Sequence, residues 1–397
     1  MNKTILLSAA FLMAVSATSF AQQKAEIDNE AYQFTTVKEL PVTSVKNQAS
    51  TGTCWCFSTI SFLESEAIRK GYKGDLDLSE MFVVSKSYQD RAVKYVRTDG
   101  HINFAQGSSF GDVIATVKEY GIVPNSVMDG LNYGETRHMH SELAAGLTGY
   151  LQAIVKNPNR KLSTAWQNGF KGIVDAYLGE CPESFEYNGK NYTPAQYRDE
   201  IGLDMDEYVD LTSFTHHPFY TKFAIEVADN WRWEESYNLP LEELKAVMYN
   251  AIENGYTIAW GADVSEAGFT RKGLGVMPEA PAANGAGSDQ ARWVGADAKD
   301  KAEAAKSPLP EVKVDQELRQ TAFDNKQTTD DHGMHIYGIA KDQNGTNYFL
   351  VKNSWGETGS YKGVWYVSDT FVRYKTLNIC VHKDAIPKDI KKKLGIK

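Results

Sequence analysis

The chain has 397 residues, 12% of them aromatic, and a formal net charge of −9. That length leaves room for one large domain or two with a sizeable core, and the acidic balance excludes a broad nucleic-acid surface, which would require clustered cations. Four cysteines, Cys54, Cys56, Cys181 and Cys380, show no C-x-x-C pair and no metal-ligand spacing, so neither a metal site nor a disulfide framework is expected.

The first residues read as an export signal. Met1-Asn2-Lys3 is short and basic, Ile5 to Val15 is almost unbroken apolar, and Ser19-Phe20-Ala21 offers small residues at the positions a signal peptidase reads. Cleavage after Ala21 is expected, making residues 1–21 a signal peptide and the mature chain periplasmic or secreted. The apolar run is too short to span a bilayer, and no cysteine precedes Cys54 to carry a lipid, so no membrane anchor is expected.

Thr53 to Lys70 then predicts a helix, with Cys56, Ile60, Leu63 and Ala67 on one buried face and Gly71 as its stop. Ser79 to Arg97 and Gly111 to Tyr120 predict two more. Residues 135–260 are mostly helical in pattern, Leu241 to Asn254 being amphipathic, and Tyr256 to Ala262 is strand-like. From Glu279 to Pro310 the composition turns to Ala, Gly, Pro and charge, which predicts a mobile surface insertion. His335 to Ala340, Tyr348 to Lys352 and Val364 to Val367 predict short strands separated by glycine-bearing turns. Lys388, Lys391, Lys392, Lys393 and Lys397 form a basic tail, read as a solvated helix end.

Chemistry gathers around Cys54. A cysteine at a helix start meets unpaired N–H groups and the positive end of the dipole, which favours the thiolate. Gln48, across a glycine-containing turn, can donate to an oxyanion together with the Cys54 amide. Far downstream, His332 leads into a strand, and Asn353 ends the next one. An asparagine beside an imidazole accepts its N–H and orients the ring toward sulfur, and Trp355 would shield that bond from water. His335 is the rival base, and is read as a packing or surface residue.

Gln48, Gly52-Thr53-Cys54-Trp55-Cys56-Phe57-Ser58, Leu78-Ser79-Glu80, His332 and Asn353-Ser354-Trp355-Gly356 together resemble the papain superfamily of cysteine peptidases. The chain departs from papain itself. Thr51 stands where a disulfide cysteine is usual, and the stretch between Cys54 and His332 is about twice the papain separation. Those departures resemble one branch, the bleomycin hydrolase (aminopeptidase C) family, whose large insertion between nucleophile and base is matched by residues 135–260. Further likenesses run through Lys118-Glu119-Tyr120-Gly121-Ile122-Val123-Pro124, Gly261-Ala262-Asp263-Val264 and His382-Lys383. The insertion at 279–310 has no counterpart in that family.

The resemblance implies an α+β, papain-like two-half fold with its cleft between the halves. Residues 22–134 would form the helical half, 135–260 a mostly helical insertion subdomain, and 261–397 the β-rich half with the insertion at 279–310 and the basic tail. It implies Cys54, His332, Asn353 and Gln48 as catalytic residues, no metal and no cofactor. Gly107, Ser108 and Trp355 would bind a peptide substrate. It also allows a homo-oligomer, since the family builds hexameric rings. In that family a C-terminal arm lies in the cleft and its carboxylate pairs with the substrate's free α-amine, which would give Lys397 that role and make the chain an aminopeptidase. The tail stops earlier than the family's arm, so an endopeptidase with an open cleft is the alternative. A catalytically dead binding protein and a thiol acyltransferase or transglutaminase are the readings of other classes.

Overall fold

Helix α1 (Cys54–Arg69) runs through the middle of the molecule, and every residue from Trp55 to Ala67 is buried. The four positions marked by periodicity, Cys56, Ile60, Leu63 and Ala67, are fully inaccessible. The opposite face is buried as well, because α1 is held between α2 (Glu80–Arg97) and α3 (Phe110–Tyr120) on one side and a sheet on the other. A helix covered all round must satisfy its polar groups internally. Buried Glu64 accepts from the Leu78 amide at 2.8 Å, and Glu66 takes a forked contact from Arg69 at 3.0 and 2.7 Å. Ser79 caps α2 by accepting from the Phe82 amide, and Ser109 and Asp112 form a capping box at the start of α3.

The computed structural model describes residues 29–158, 161–279 and 308–397. The signal segment 1–21 and most of the insertion at 279–310 lie outside the described residues. The insertion's two ends meet, since the Glu279 amide donates to the Pro310 carbonyl at 2.8 Å.

The region 135–260 departs from the mostly helical reading. It begins with α4 (Ser141–Val155), α5 (Ala165–Leu178), a small hairpin of β2 (Phe185–Tyr187) and β3 (Lys190–Tyr192), and α6 (Pro194–Glu200). It continues as β4 (Tyr208–Thr212), β5 (Lys222–Ala224) and β6 (Glu235–Asn238), followed by α7 (Leu241–Glu253) and β7 (Ile258–Ala262). A cut between residues 260 and 261 falls inside β7. Strands of three to five residues are too short to show an alternation in sequence, and what makes them strands is a partner.

That partner is one ten-stranded sheet. Its remaining members are β1 (Thr35–Glu39), β8 (Leu274–Gly275), β9 (His332–Lys341), β10 (Asn347–Lys352), β11 (Val364–Ser368) and β12 (Thr376–His382), in the order β5-β6-β4-β12-β7-β9-β10-β11-β8. Strand β9 is the hinge of the arrangement: its first half pairs with β7, and its second half pairs with β1 along the same edge. One apolar core lies among the helices and a second within the sheet layer, beneath α7, α8 (Gln316–Asp324) and α9 (Asp369–Lys375). This is the expected α+β, two-half architecture.

The chain closes with α10 (Lys388–Leu394), which buries Ile390 and Leu394 in the sheet-side core. Lys393 reaches Glu243 of α7 at 2.5 Å and Lys391 reaches Asp384 at 2.9 Å. The lysine-rich tail is therefore a helix docked on the outer side of the sheet.

Candidate active site

Cys54 is the first residue of α1, and His332 is the first residue of β9. They are brought together because β9 packs on the first turn of the helix, and Gly333 is what allows the approach. A side-chain carbon at 333 would lie 2.8 Å from Ser58 Oγ and 3.3 Å from the Cys54 carbonyl, tighter than packed atoms accept. Cys54, Gly107, Ser108, His332 and Gly333 line one cavity between the two halves.

His332 is buried and donates from Nε2 to Asn353 Oδ1 at 2.8 Å. Asn353 Oδ1 also accepts the Ser354 amide at 2.8 Å, which fixes the orientation of its carboxamide. With Nε2 as the donor, Nδ1 is the acceptor of the neutral ring, the tautomer a general base requires. Trp355 stacks on the imidazole, with ring centroids 4.8 Å apart and planes at 27°. The indole thus covers the His332–Asn353 bond rather than lining the cavity, so the substrate-binding role expected of Trp355 is corrected.

Gln48 is tied to the same β-rich segment. Its amide donates to the Ser354 carbonyl at 2.9 Å, and its Oε1 accepts from Ser354 Oγ at 2.6 Å. Nε2 donates one proton to the Thr51 carbonyl at 2.7 Å and has no second acceptor among the described residues, while Gln48 itself, like Trp355, is not among the residues lining the cavity. The turn after it holds Ala49 at φ 52°, a left-handed conformation costing an L-residue about 1–2 kcal/mol, with Asn47 Oδ1 accepting the Ala49 amide at 2.9 Å.

Burial pushes both reacting groups toward their neutral forms. The Cys54 thiol is raised to about 11 by desolvation, with the amides of Gly333 and Trp55 pulling it back and the carboxylates of Asp330 and Asp229 pushing it further up. Burial lowers the His332 imidazole, while Asn353 and Asp331 raise it. A helix start alone favours a thiolate, but here desolvation outweighs those amides. His335 is wholly buried with Nδ1 2.8 Å from Ser61 Oγ, which makes it a packing residue.

Of the expected substrate contacts, Gly107 and Ser108 do line the cavity. The Ser108 hydroxyl is spent on structure, donating to Asp112 and accepting from Trp231 Nε1 at 2.7 Å. Lys397 is not among the cavity-lining residues, since α10 carries the terminus to the α7 side of the sheet. The cleft position expected of Lys397 is therefore corrected. Sequence reasoning missed Asp229 and Asp330, both of which line it. The acidic pair immediately before His332 was a usable signal for Asp330, whereas nothing near Asp229 marks it.

The Peptidase C1-like family matches residues 83–278 and 311–396, and the papain family of cysteine proteases matches residues 29–120. The gap in the first match coincides with the Ala/Gly/Pro-rich insertion. Aminopeptidase G of Lactobacillus delbrueckii subsp. lactis is 24% identical over 393 residues, covering 88% of this chain and 83% of the relative. Aminopeptidase E of Lactobacillus helveticus is 23% identical, covering 87% and 82%. Aminopeptidase C of Lactococcus lactis subsp. lactis is 22% identical, covering 87% and 82%. A crystal structure of PepW from Lactobacillus rhamnosis superposes with a TM-score of 0.69 at 18% identity, over 91% of this chain and 84% of that one. The chain belongs to the Peptidase C1-like family, and with it to the papain-type cysteine peptidases.

Proposed function

We propose that this chain is a cysteine aminopeptidase in which Cys54 is the nucleophile and His332 its base. The observation that carries the reading is the Nε2–Oδ1 bond between His332 and Asn353, with His332 lining the same cavity as Cys54. Because thiol and imidazole are both pushed toward neutrality, the proton passes from sulfur to Nδ1 as the thiolate attacks the scissile carbonyl. The free Nε2 proton of Gln48 and the Cys54 amide stabilise the oxyanion, and His332 then protonates the leaving amine and activates the water that releases the acyl group. None of these steps calls on a metal or an organic cofactor.

The names of the relatives, aminopeptidases G, E and C, support removal of N-terminal residues over internal cleavage. The assay is a pair of fluorogenic peptides that differ only in N-acetylation. At least a tenfold higher kcat/KM for the free amine is expected, roughly 1.4 kcal/mol of discrimination. Equal values would mean an open cleft and an endopeptidase.

The basic, apolar and small-residue run from Met1 to Ala21 supports export to the periplasm or beyond. Mature protein recovered outside the cytoplasm should begin at Gln22, and an intact Met1 on that material would sink the reading.

A further inference from the structure

The cavity beside Cys54 is lined by Asp210, Asp229, Glu234, Asp330 and Asp331, and by no lysine or arginine. Asp331 is occupied, its Oδ2 accepting from the Val264 amide at 3.1 Å and from Ser265 Oγ at 2.9 Å. Among the described residues, Asp229 is occupied on one oxygen. Its Oδ1 accepts from Asn103 Nδ2 at 3.1 Å and lies 3.7 Å from Arg91 Nη2. Its Oδ2 lies across Gly107, at 1.9 Å from where a side-chain carbon on that glycine would stand. Asp330 has no hydrogen bond and no counter-charge among the described residues. Its side chain keeps contact with solvent, and partial desolvation first, then repulsion from Asp229 and Asp331, raises its carboxyl above the ordinary range. Deeper in the same cavity, Asp210 Oδ1 is buried without a hydrogen-bond partner.

Gly107 matters because a peptide running past the thiol would pair with its backbone. Two contacts oppose that pairing: the Gly107 carbonyl already accepts from Arg91 Nη1, and the Asp229 carboxylate covers the residue. A substrate reaching this point ends within about one residue of the scissile bond, and what an unblocked peptide presents there is an ammonium.

We infer that Asp229 and Asp330 are the receptor for the free N-terminal ammonium of the substrate, with Asp229 also closing the cleft beyond the first residue. This rests on the aminopeptidase reading and takes its carboxylates from the loop before β6 and the approach to β9. An ammonium brings three donors to Asp229 Oδ2 and to Asp330. An acetylated N-terminus brings one amide donor, no charge and extra bulk, and leaves Asp330 without a counter-charge. The same two aspartates raise the Cys54 thiol. A bound ammonium offsets their field, so the correct substrate makes its own nucleophile more acidic.

The test uses Asp330→Asn and Asp229→Asn in the full chain, assayed on an alanyl coumarylamide and its N-acetyl twin. The pH profile of Cys54 alkylation by neutral iodoacetamide is recorded in parallel. Asp330→Asn removes no partner, so the fold should be kept and the melting temperature should hold or rise. The free-amine preference should fall roughly tenfold or more, since a charged hydrogen bond is lost, and alkylation should move to lower pH. Asp229→Asn also weakens the hold on Arg91, so Asp330→Asn decides if the former fails to fold. The wild-type ratio reads the aminopeptidase assignment by itself, and a ratio near one overturns both. A strong wild-type preference with an unchanged ratio and alkylation profile in Asp330→Asn overturns only the carboxylate receptor.

Discussion

Cys54→Ala is expected to lower peptide hydrolysis by roughly 10⁴- to 10⁶-fold, the range found when a nucleophile is removed from a cooperating catalytic set, with no loss of thermal stability. The thiol is half-buried on the cavity wall and pushed up to about 11 by desolvation, so removing it opens no packed core. His332→Ala should cost about as much, because an uncharged thiol cannot attack without a base. Asn353→Ala should cost less, acting through ring orientation and lowering kcat more than it raises KM. Cys56 is the control. It is fully buried, two positions along α1, with Sγ 3.4 Å from the Glu80 carbonyl, and its thiol is pushed well above the ordinary range. Cys56→Ala should keep activity and lose about 1 kcal/mol of stability. The comparison is made with a fluorogenic free-amine peptide and a melting curve on each variant. Full turnover by Cys54→Ala would refute the nucleophile assignment.

Lys46→Met should produce the largest loss of stability, about 3–5 kcal/mol, as expected when one partner of a buried ion cluster is removed. Lys46 Nζ lies 2.8 Å from Glu80, 2.6 Å from Asp77 and 3.5 Å from Glu64, and Glu64 and Glu80 are almost wholly inaccessible. It also donates to the Leu78 carbonyl at 2.9 Å. Its carbonyl accepts the Gly356 amide at 3.0 Å, and its neighbour Asn47 bridges to Trp355. The side chain therefore clamps the segment carrying Gln48 onto α1 and α2, so activity should fall with stability.

The pH dependence has a definite sign. Neighbouring carboxylates raise the Lys46 amine well above its ordinary value, so in the wild type its contribution is present at neutral pH and lost only under strongly alkaline conditions. In the variant, Glu80, already raised by burial, loses its cation and rises further. The deficit is then full at neutral pH and shrinks as pH falls through that raised value, because a protonated carboxyl needs no partner. Lys352 faces the same carboxylates, with its amine pushed down to about 8 by burial, and limits the loss. Urea unfolding at neutral and acid pH checks this, and a deficit that grows on acidification would contradict it.

Much of the site is legible before any coordinates because its chemistry is local. Cys54 at a helix start, the Gln48 turn before it and the Asn353-Ser354-Trp355-Gly356 run are short segments whose residue types declare their role. Helices α1, α2 and α3 are equally plain, since each carries a helical apolar period and α2 and α3 also carry a side-chain cap. Strands β4, β5 and β6 were not, because their identity comes from hydrogen bonds to β12 and to one another across the fold. The burial of Glu64 and Glu66 within α1 has the same origin: periodicity predicts one covered face, and only packing on both sides covers the other.

The sequence by itself determined the fold class, the order of nucleophile, base and orienting amide, and the family. These follow from residue type and spacing along the chain, where neighbouring side chains and caps act within a few ångströms. The tertiary structure alone decided the protonation and the shape of the cleft. Whether Cys54 rests as thiol or thiolate depends on how much water is excluded around it, and that is set by residues distant in sequence. It also set α10 against α7, with Ile390 and Leu394 buried in the sheet-side core, and put Asp229 across Gly107. Desolvation and repulsion between carboxylates depend on distance through space, and no spacing along the chain records it.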